Sequence, residues 1–306
     1  MFRRILLLIF GNDTRTRDLI LTIGTLAGFV IASWFLMLLG GSDLYDCYRP
    51  FMYGDYTCVF VPPHASTMLL PLLLPWPWAW PTWTIINGVL IIILFRKMRQ
   101  NPLPVLFSFP WIIQWWLGQI DIIPVMGIFI LLFSQAYYLK FLGAWMGLTK
   151  IHLLALPAVM YAVDRRKNWI AIAAAMLVSC VFFGFWPPLW LSRLTNVPFD
   201  LWRVAPIYLA PLGFIIIILF RRNIYIILAA ILLLPPSSIY TYFYLWALPG
   251  VRGWLLTLLS WIWVLLFPII GKNAAILNSI LPLVAIYFIY QQTEKPNKSE
   301  IAQLER

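Results

Sequence analysis

The chain has 306 residues, of which 62% are hydrophobic and only 11% are charged. An average soluble domain carries about 25% charged residues, so this composition excludes a soluble globular enzyme and a disordered chain. The net charge of +11 predicts basic loops facing the anionic lipid of the cytoplasmic leaflet rather than a nucleic-acid partner.

The uncharged stretches of the chain mark the predicted membrane crossings, because charged side chains are costly in hydrocarbon. In chain order these stretches are 19–42, 56–95, 100–120, 122–139, 168–192, 204–220, 223–251, 253–271 and 273–293. Since one crossing needs roughly 20 apolar residues, they predict about 10–11 membrane-crossing helices. The stretches are solidly apolar and do not alternate, which indicates an all-α polytopic transmembrane bundle.

Basic residues cluster between alternate crossings, and placing these clusters in the cytoplasm defines a predicted orientation. The clusters are Arg3/Arg4, Arg15/Arg17, Arg96/Lys97/Arg99, Lys140, Arg165/Arg166/Lys167, Arg221/Arg222 and Lys272. This orientation predicts a multi-pass plasma-membrane protein with a cytoplasmic N-terminus. Residues 1–293 then form a single transmembrane domain with outer loops at 41–65 and 187–203, and 294–306 form a polar disordered tail.

The first outer loop carries two carboxylates, Asp43 and Asp46, at the mouth of the first crossing. A carboxylate beside a low-dielectric region can have a raised pKa, which suits a general base. The alternative is a polar cap that ends a membrane helix. Short interfacial helices are predicted in this loop, where Cys47 and Cys58 either form a disulfide or are both free.

Further ionisable residues lie at the predicted outer ends of later crossings. Asp121 and Lys150 are each embedded in apolar sequence, so Asp121 is expected to form an ion pair or to bind a ligand. Lys150 either binds a lipid phosphate or extends its ammonium to the interface. The same two alternatives hold for Arg193, Arg203 and Arg252.

The chain has two histidines, His64 and His152. No pair among the histidines and the scattered aspartates has helical i, i+4 spacing, so a divalent metal is possible but not indicated, and no cofactor is predicted. Each histidine is interpreted as an interfacial hydrogen-bonding residue. No glycine-rich phosphate-binding signature occurs in the sequence.

Three sequence blocks resemble a known family. The first runs from Asp43-x-Tyr45 through Tyr48 to Pro62-Pro63-His64, the second is Gly118-Gln119-Ile120-Asp121, and the third is Gly147-Leu148-Thr149-Lys150-Ile151-His152. In order and spacing they resemble the polyprenol-phosphate-mannose-dependent mannosyltransferases of the GT-C glycosyltransferase superfamily. The resemblance covers residues 40–165, and beyond them only the hydropathy pattern is similar. Val61 stands where the family has an aromatic residue, and the chain is short for the family.

The resemblance implies a GT-C-type helix bundle that transfers mannose or another hexose or pentose, with inversion, on the extracytoplasmic face. The donor would be a polyprenyl-phosphate sugar, the acceptor a lipid or glycan, and neither a cofactor nor nucleic acid would take part. The implied catalytic base is Asp43 or Asp46. The implied donor-phosphate-binding residues are Lys150, Arg193, Arg203 and Arg252, and the implied substrate-binding residues are Tyr45, Tyr48, His64, Gln119, Asp121 and His152. Two alternatives stay open: a non-catalytic GT-C-like membrane subunit, and a lipid or polyprenyl-phosphate flippase.

Overall fold

The computed structural model describes residues 14–54, 61–150, 166–195, 209–234, 238–270 and 277–294. It is all-helical in these ranges, where no strand occurs, and this confirms the all-α prediction. The α-helices are α1 (Thr14–Phe35), α2 (Arg49–Met52), α3 (Trp76–Lys97), α4 (Leu103–Leu106), α5 (Phe109–Leu117), α6 (Ile122–Phe133), α7 (Tyr137–Gly147), α8 (Arg166–Phe183), α9 (Pro187–Thr195), α10 (Ala210–Leu219), α11 (Ile224–Ile231), α12 (Gly253–Ser260), α13 (Ile262–Ile270) and α14 (Ile280–Glu294).

Tighter and wider helical turns join these elements. Leu44–Tyr48 is a π-helical turn, and the 3-10 segments include Pro63–Met68, Leu70–Leu73, Leu148–Lys150 and Ile239–Ala247. The predicted first outer loop thus holds short helices on both sides of residues 55–60, which lie outside the described residues.

Three of the described helices, α1, α3 and α8, are long and apolar enough to cross a membrane. α5 and α6 pass the same test only as a pair, and they are bent by 119° at their junction, as in a broken span or a re-entrant loop. These helices are consistent with a membrane protein. The described ranges therefore hold three or four spanning helices by length and composition, where about 10–11 crossings are predicted from apolar length. Apolar length does not reveal turns, and the stretch 223–251 contains two short helices, α11 and Ile239–Ala247.

The outer surfaces of the long helices are apolar. In α8, Leu177 is 66% exposed, Val181 is 72% exposed and Phe182 is 77% exposed. Exposed apolar surface on this scale is typical of a membrane or partner contact. The polar side chains of Gln119, Asp121 and Lys150 are instead buried inside the bundle.

α6 and α7 form a tight antiparallel hairpin that depends on two glycines. A Cβ atom on Gly127 would lie 2.4 Å from the Gly147 nitrogen, and one on Gly143 would lie 2.6 Å from the Leu131 nitrogen. Both contacts are with backbone atoms, so a side chain would separate the helices. The hairpin brings the residue before α6, Asp121, close to the residues that follow α7.

Lys140 lies within α7 and is buried. Its Nζ donates to the Leu131 carbonyl at 2.9 Å and to the Asn168 side-chain oxygen at 2.5 Å. Lys140, which the charge pattern predicts at the cytoplasmic face, therefore links α7 to α6 and α8 through hydrogen bonds.

Two contacts define opposite ends of the bundle. At one end the Asn101 amide, just after α3, donates to the Asp18 carboxylate in α1 at 2.7 Å. At the other end the Gly41 N–H, which follows α1, donates to the Trp116 carbonyl in α5 at 2.6 Å. These are termed the Asp18 end and the Asp43 end. The predicted extracytoplasmic face corresponds to the Asp43 end.

Candidate functional site

A left-handed turn at Gly118 positions the candidate site. α5 ends there with a φ of +71°, a conformation that glycine adopts without strain. A Cβ atom on Gly118 would also lie 2.7 Å from Leu44 Cβ. Because Gly118 has no side chain, the segment that carries Asp43 can pack directly on this turn.

Gln119 connects the first outer loop to the bundle interior. Its Nε2 donates to the Asp43 carboxylate. Its Oε1 accepts from the Tyr48 hydroxyl at 2.9 Å and from Lys150 Nζ at 3.4 Å. The Trp83 indole N–H donates to the Gln119 carbonyl at 3.2 Å, which holds the backbone as well. Gln119 is therefore fixed at both its main chain and its side chain.

Asp121 and Lys150 form a buried ion pair beside Gln119. Asp121 is fully buried and Lys150 is 4% exposed. The second carboxylate oxygen of Asp121 accepts from the Thr241 hydroxyl. The Tyr240 ring centroid lies 5.1 Å from Lys150 Nζ. The residues Asp43, Tyr48, Gln119, Asp121, Lys150 and Thr241 thus form one hydrogen-bonded set, which we name the Asp43–Lys150 network.

The protonation states in the Asp43–Lys150 network follow from burial and pairing. Burial lowers the pKa of Lys150, but the surrounding groups, Asp121 foremost among them, raise it above the ordinary value. Burial raises the pKa of Tyr48, so its hydroxyl stays protonated and donates to Gln119. Lys150 is thus charged, and Asp121 neutralises it. The sequence left two alternatives open for Asp121, an ion pair or a bound ligand, and the structure shows the ion pair with Lys150. A lipid phosphate could reach Lys150 only if this buried pair opened, which is costly.

Asp43 and Asp46 differ in their surroundings. Asp43 is partly exposed and lies at the N-cap of the Leu44–Tyr48 turn, where Gln119 donates to it. Asp46 is exposed on the same turn. The exposed Tyr45 ring packs edge-on against Trp76 with centroids 4.8 Å apart. Asp43, rather than Asp46, is the carboxylate that the structure joins to the other motif residues.

His64 is fully buried at a distinct site in the 3-10 segment Pro63–Met68. Its ring lies 5.0 Å from Trp145 and 5.6 Å from Trp186, measured between centroids. Burial lowers the pKa of His64 to about 4, so the ring is neutral at physiological pH. This placement between indoles gives His64 a packing role, in contrast to the predicted interfacial one.

Arg252, a predicted phosphate ligand, lies toward the Asp18 end. Its guanidinium carbon is 5.4 Å from the centroid of the Phe288 ring. The next residue, Gly253, packs on Pro104, which is three positions beyond Asn101. The structure therefore does not bring Arg252 to the Asp43–Lys150 network. Its place between α12 and α14 could not be read from the charge pattern.

Other predicted residues fall outside the described parts of the chain. These are His152, Arg203 and the side chain of Arg193. Cys47 is disulfide-bonded, and Cys58, its predicted partner, lies outside the described residues. Cys180 is a free thiol.

Sequence reasoning missed Thr241 and Tyr240, which contact Asp121 and Lys150. Both lie in the uncharged stretch 223–251, which is predicted as apolar membrane helix. The available signal is a short polar and aromatic run, Ser238-Ile239-Tyr240-Thr241-Tyr242, within that stretch.

No family model, curated protein or solved structure matches this chain. The resemblance to GT-C mannosyltransferases therefore stays a prediction. Among the described residues, no three His, Cys, Asp or Glu side chains come together as a metal site.

Proposed function

We propose that this chain is an integral-membrane glycosyltransferase of the GT-C type. It would move a sugar from a polyprenyl-phosphate donor to a lipid or glycan acceptor, with inversion at the anomeric carbon. The observation that supports this best is the Asp43 carboxylate, which is partly exposed and held by the buried Gln119. Residues from three separate motif blocks, Asp43, Gln119 and Lys150, meet in this one arrangement.

In the proposed reaction Asp43 is the general base. Its carboxylate takes the proton from an acceptor hydroxyl, whose oxygen bonds to the anomeric carbon of the donor sugar. The bond between that carbon and the donor phosphate oxygen breaks, and the electron pair stays on the phosphate. One carboxylate suffices for this single displacement, since no covalent sugar–enzyme intermediate forms. The exposed Asp46 is the second candidate base.

Gln119 and Lys150 are positioning residues in this proposal. The Tyr48 hydroxyl and the Lys150 ammonium are both donors, and both reach Gln119 Oε1. An amide oxygen must face these donors, so the amide nitrogen faces Asp43. Lys150 thereby orients the base without contacting the substrate, while Asp121 compensates its charge.

The leaving phosphate gains negative charge, which a nearby cation would stabilise. Arg49 follows Tyr48 directly, and its guanidinium carbon lies 5.9 Å from the ring centroids of both Tyr45 and Tyr53. Arginine binds phosphate oxygens in a bidentate manner. We therefore propose Arg49, together with Arg193 and Arg203, as the donor-phosphate contacts in place of the buried Lys150 and the distant Arg252.

A non-catalytic membrane subunit is the second candidate function. The observation in its favour is the complete burial of the Asp121–Lys150 pair, which would also serve to hold α6, α7 and Ile239–Ala247 together. The proposed enzyme and the subunit differ in whether Asp43 is needed for turnover.

The test is a transfer assay with the purified chain in lipid nanodiscs. The donor is polyprenyl phosphate carrying radiolabelled mannose, and the acceptor is a membrane lipid extract. Wild type, Asp43→Asn and Asp46→Asn are compared after their folding is checked by size-exclusion chromatography. The proposal expects labelled product with wild type and Asp46→Asn, and a loss of at least 100-fold with Asp43→Asn, within the range typical of a general base.

The outcomes separate the candidates. Loss of activity only in Asp46→Asn would move the base to that residue. Full activity in both variants would exclude a catalytic carboxylate in this loop. An inactive wild type with glucose, arabinose and mannose donors alike would favour the non-catalytic subunit.

The extracytoplasmic location of the site is part of the same proposal. Ser42 is exposed beside Asp43, so a cysteine introduced there should react with a membrane-impermeant maleimide added outside intact cells. A Cys180→Ala background removes the free thiol found among the described residues. Labelling only after the cells are opened would place the Asp43 end in the cytoplasm.

A further inference from the structure

A depression opens at the turn between α10 and α11. Its volume is about 620 Å³, within the range of roughly 300–1,000 Å³ typical of ligand pockets. It is lined by Leu219, Phe220, Arg221, Arg222, Asn223, Ile224, Tyr225 and Thr293. Among the described lining residues, two are cationic and none is acidic. This lining indicates an anionic ligand.

The depression is separate from the Asp43–Lys150 network. α6 begins beside Asp121 and ends at Phe133, whose ring stacks on Tyr225 with centroids 5.7 Å apart. A helix of this length spans about 18 Å. The depression therefore lies one helix length from the Asp43 end, on the side of the bundle with predicted cytoplasmic clusters.

The rim combines two charges with a rigid wall. Arg221 and Arg222 are exposed in the turn that follows α10. Asn223 caps α11, because its Oδ1 accepts from the N–H groups of Tyr225 at 3.1 Å and Ile226 at 3.2 Å. The Phe220 ring packs edge-on against Tyr290 of α14 with centroids 5.7 Å apart. Two adjacent guanidinium groups on such a fixed turn suit a phosphate group.

An exposed apolar face leads up to these arginines. Along α10, Phe214 is 50% exposed, Ile218 is 65% exposed and Leu219 is 70% exposed. An apolar helix face that ends at a basic depression matches an amphiphile with an anionic head and hydrocarbon chains. A soluble phosphate would use the arginines and leave this apolar face unoccupied.

We propose that the depression binds the phosphate headgroup of an anionic membrane phospholipid, whose acyl chains lie along α10. Basic pockets between membrane helices bind acidic lipid headgroups in this way. The site is distinct from the donor site, and it does not depend on the chain being a glycosyltransferase. Free phosphate is the other source of the same chemistry, and the test distinguishes the two.

The test uses native mass spectrometry of the full chain after delipidation in detergent. Phosphatidylglycerol, phosphatidylcholine and inorganic phosphate are each titrated. The test variant is Arg221→Gln/Arg222→Gln. The matched control is Arg96→Gln/Lys97→Gln, which removes the same charge from the exposed basic pair at the end of α3. The proposal expects wild type to prefer phosphatidylglycerol, and the test variant to lose about tenfold or more in affinity, because the two guanidinium groups would contact the phosphate headgroup directly. The control should change less than twofold.

Three outcomes would overturn the proposal. Equal losses in the two variants would mean that general basicity, and not the depression, attracts the lipid. Equal binding of phosphatidylcholine and phosphatidylglycerol by wild type would exclude selection for an anionic headgroup, and this comparison requires no variant. Displacement of phosphatidylglycerol by millimolar inorganic phosphate would assign the site to a soluble phosphate.

Discussion

The side-chain amide of Gln119 donates a hydrogen bond to the carboxylate of Asp43 across 76 positions of sequence. Gln119 is 2% exposed, while Asp43 is partly open to the surroundings. The pair therefore couples a loop carboxylate to the bundle interior. If Asp43 is the base, its orientation depends on groups that no substrate touches.

Replacement of Gln119 by methionine removes the hydrogen bond to Asp43 and the hydrogen bonds from Tyr48 and Lys150, while the side-chain volume stays nearly constant. We expect kcat to fall by about 10- to 100-fold, because small misplacements of a catalytic group have effects of this size. The matched control is Gln114→Met, since Gln114 is equally buried one turn earlier in α5. Transfer rates measured at saturating donor provide the comparison. Equal rates for Gln119→Met and wild type would show that Asp43 does not need this amide.

Single and double substitutions in the Asp121–Lys150 ion pair should lower the free energy of unfolding by different amounts. Lys150→Met leaves the buried Asp121 carboxylate without its cation, and we expect a loss of about 3–5 kcal/mol in the free energy of unfolding. The double variant Asp121→Asn/Lys150→Met removes both charges and should recover most of that loss. Denaturation by sodium dodecyl sulfate measures both. An equally unstable double variant would mean that packing, and not charge, accounts for the loss.

Glycine at the α6–α7 crossing should be irreplaceable. Gly143→Ala introduces a Cβ atom 2.6 Å from the Leu131 nitrogen, and we expect a cost of about 1–3 kcal/mol from overpacking. Gly28→Ala in α1 is the control, because a Cβ there meets nothing within 4 Å. Alanine is a better helix former, so this control should be neutral or stabilising by up to about 1 kcal/mol. A Gly143→Ala protein as stable as Gly28→Ala would refute the close backbone contact.

His64 should make stability depend on pH. Its folded-state pKa of about 4 lies below the ordinary value of 6.5, so the unfolded state binds a proton more readily. The contribution of the neutral His64 ring to the free energy of unfolding is fully present above pH 6.5 and is lost as the pH falls toward 4. The expected contribution between pH 7 and pH 4.5 is about 2–3 kcal/mol. His64→Phe should reduce the fall in thermal midpoint over this interval; an unchanged pH profile would mean that His64 does not titrate as described.

Much of the helical architecture could be predicted from composition, because long apolar stretches without alternation favour helices. Single crossings could not be counted in this way. The 119° bend between α5 and α6 depends on Gly118, whose left-handed conformation no hydropathy pattern reveals. The meeting of Asp43, Gln119 and Lys150 agrees with the order of motifs. The motif order does not reveal that the Gln119 side-chain amide contacts both Asp43 and Lys150, because this depends on side-chain positions in the folded chain.

The role of Lys150 could not be predicted from the positions of charged residues alone. A lone lysine between apolar stretches fits a phosphate ligand and a buried ion pair equally well from the sequence. The choice depends on Asp121 and Thr241, and Thr241 lies 120 positions from Asp121 with no charge to mark it. For Arg252 the charge pattern predicted the wrong place. Its predicted outer position follows from the alternation of loops, but its guanidinium lies over the Phe288 ring and the next residue, Gly253, packs on Pro104.

Asp121 and Lys150 are 29 positions apart and flank the α6–α7 hairpin. Both charges therefore emerge from the ribosome within a short interval and can neutralise each other before most of the C-terminal half is synthesised. A hairpin that enters the bilayer as a neutral unit avoids the insertion cost that either charge would impose alone. Variants that break the pair should consequently be recognised by membrane quality control during biogenesis, ahead of any defect in the mature protein.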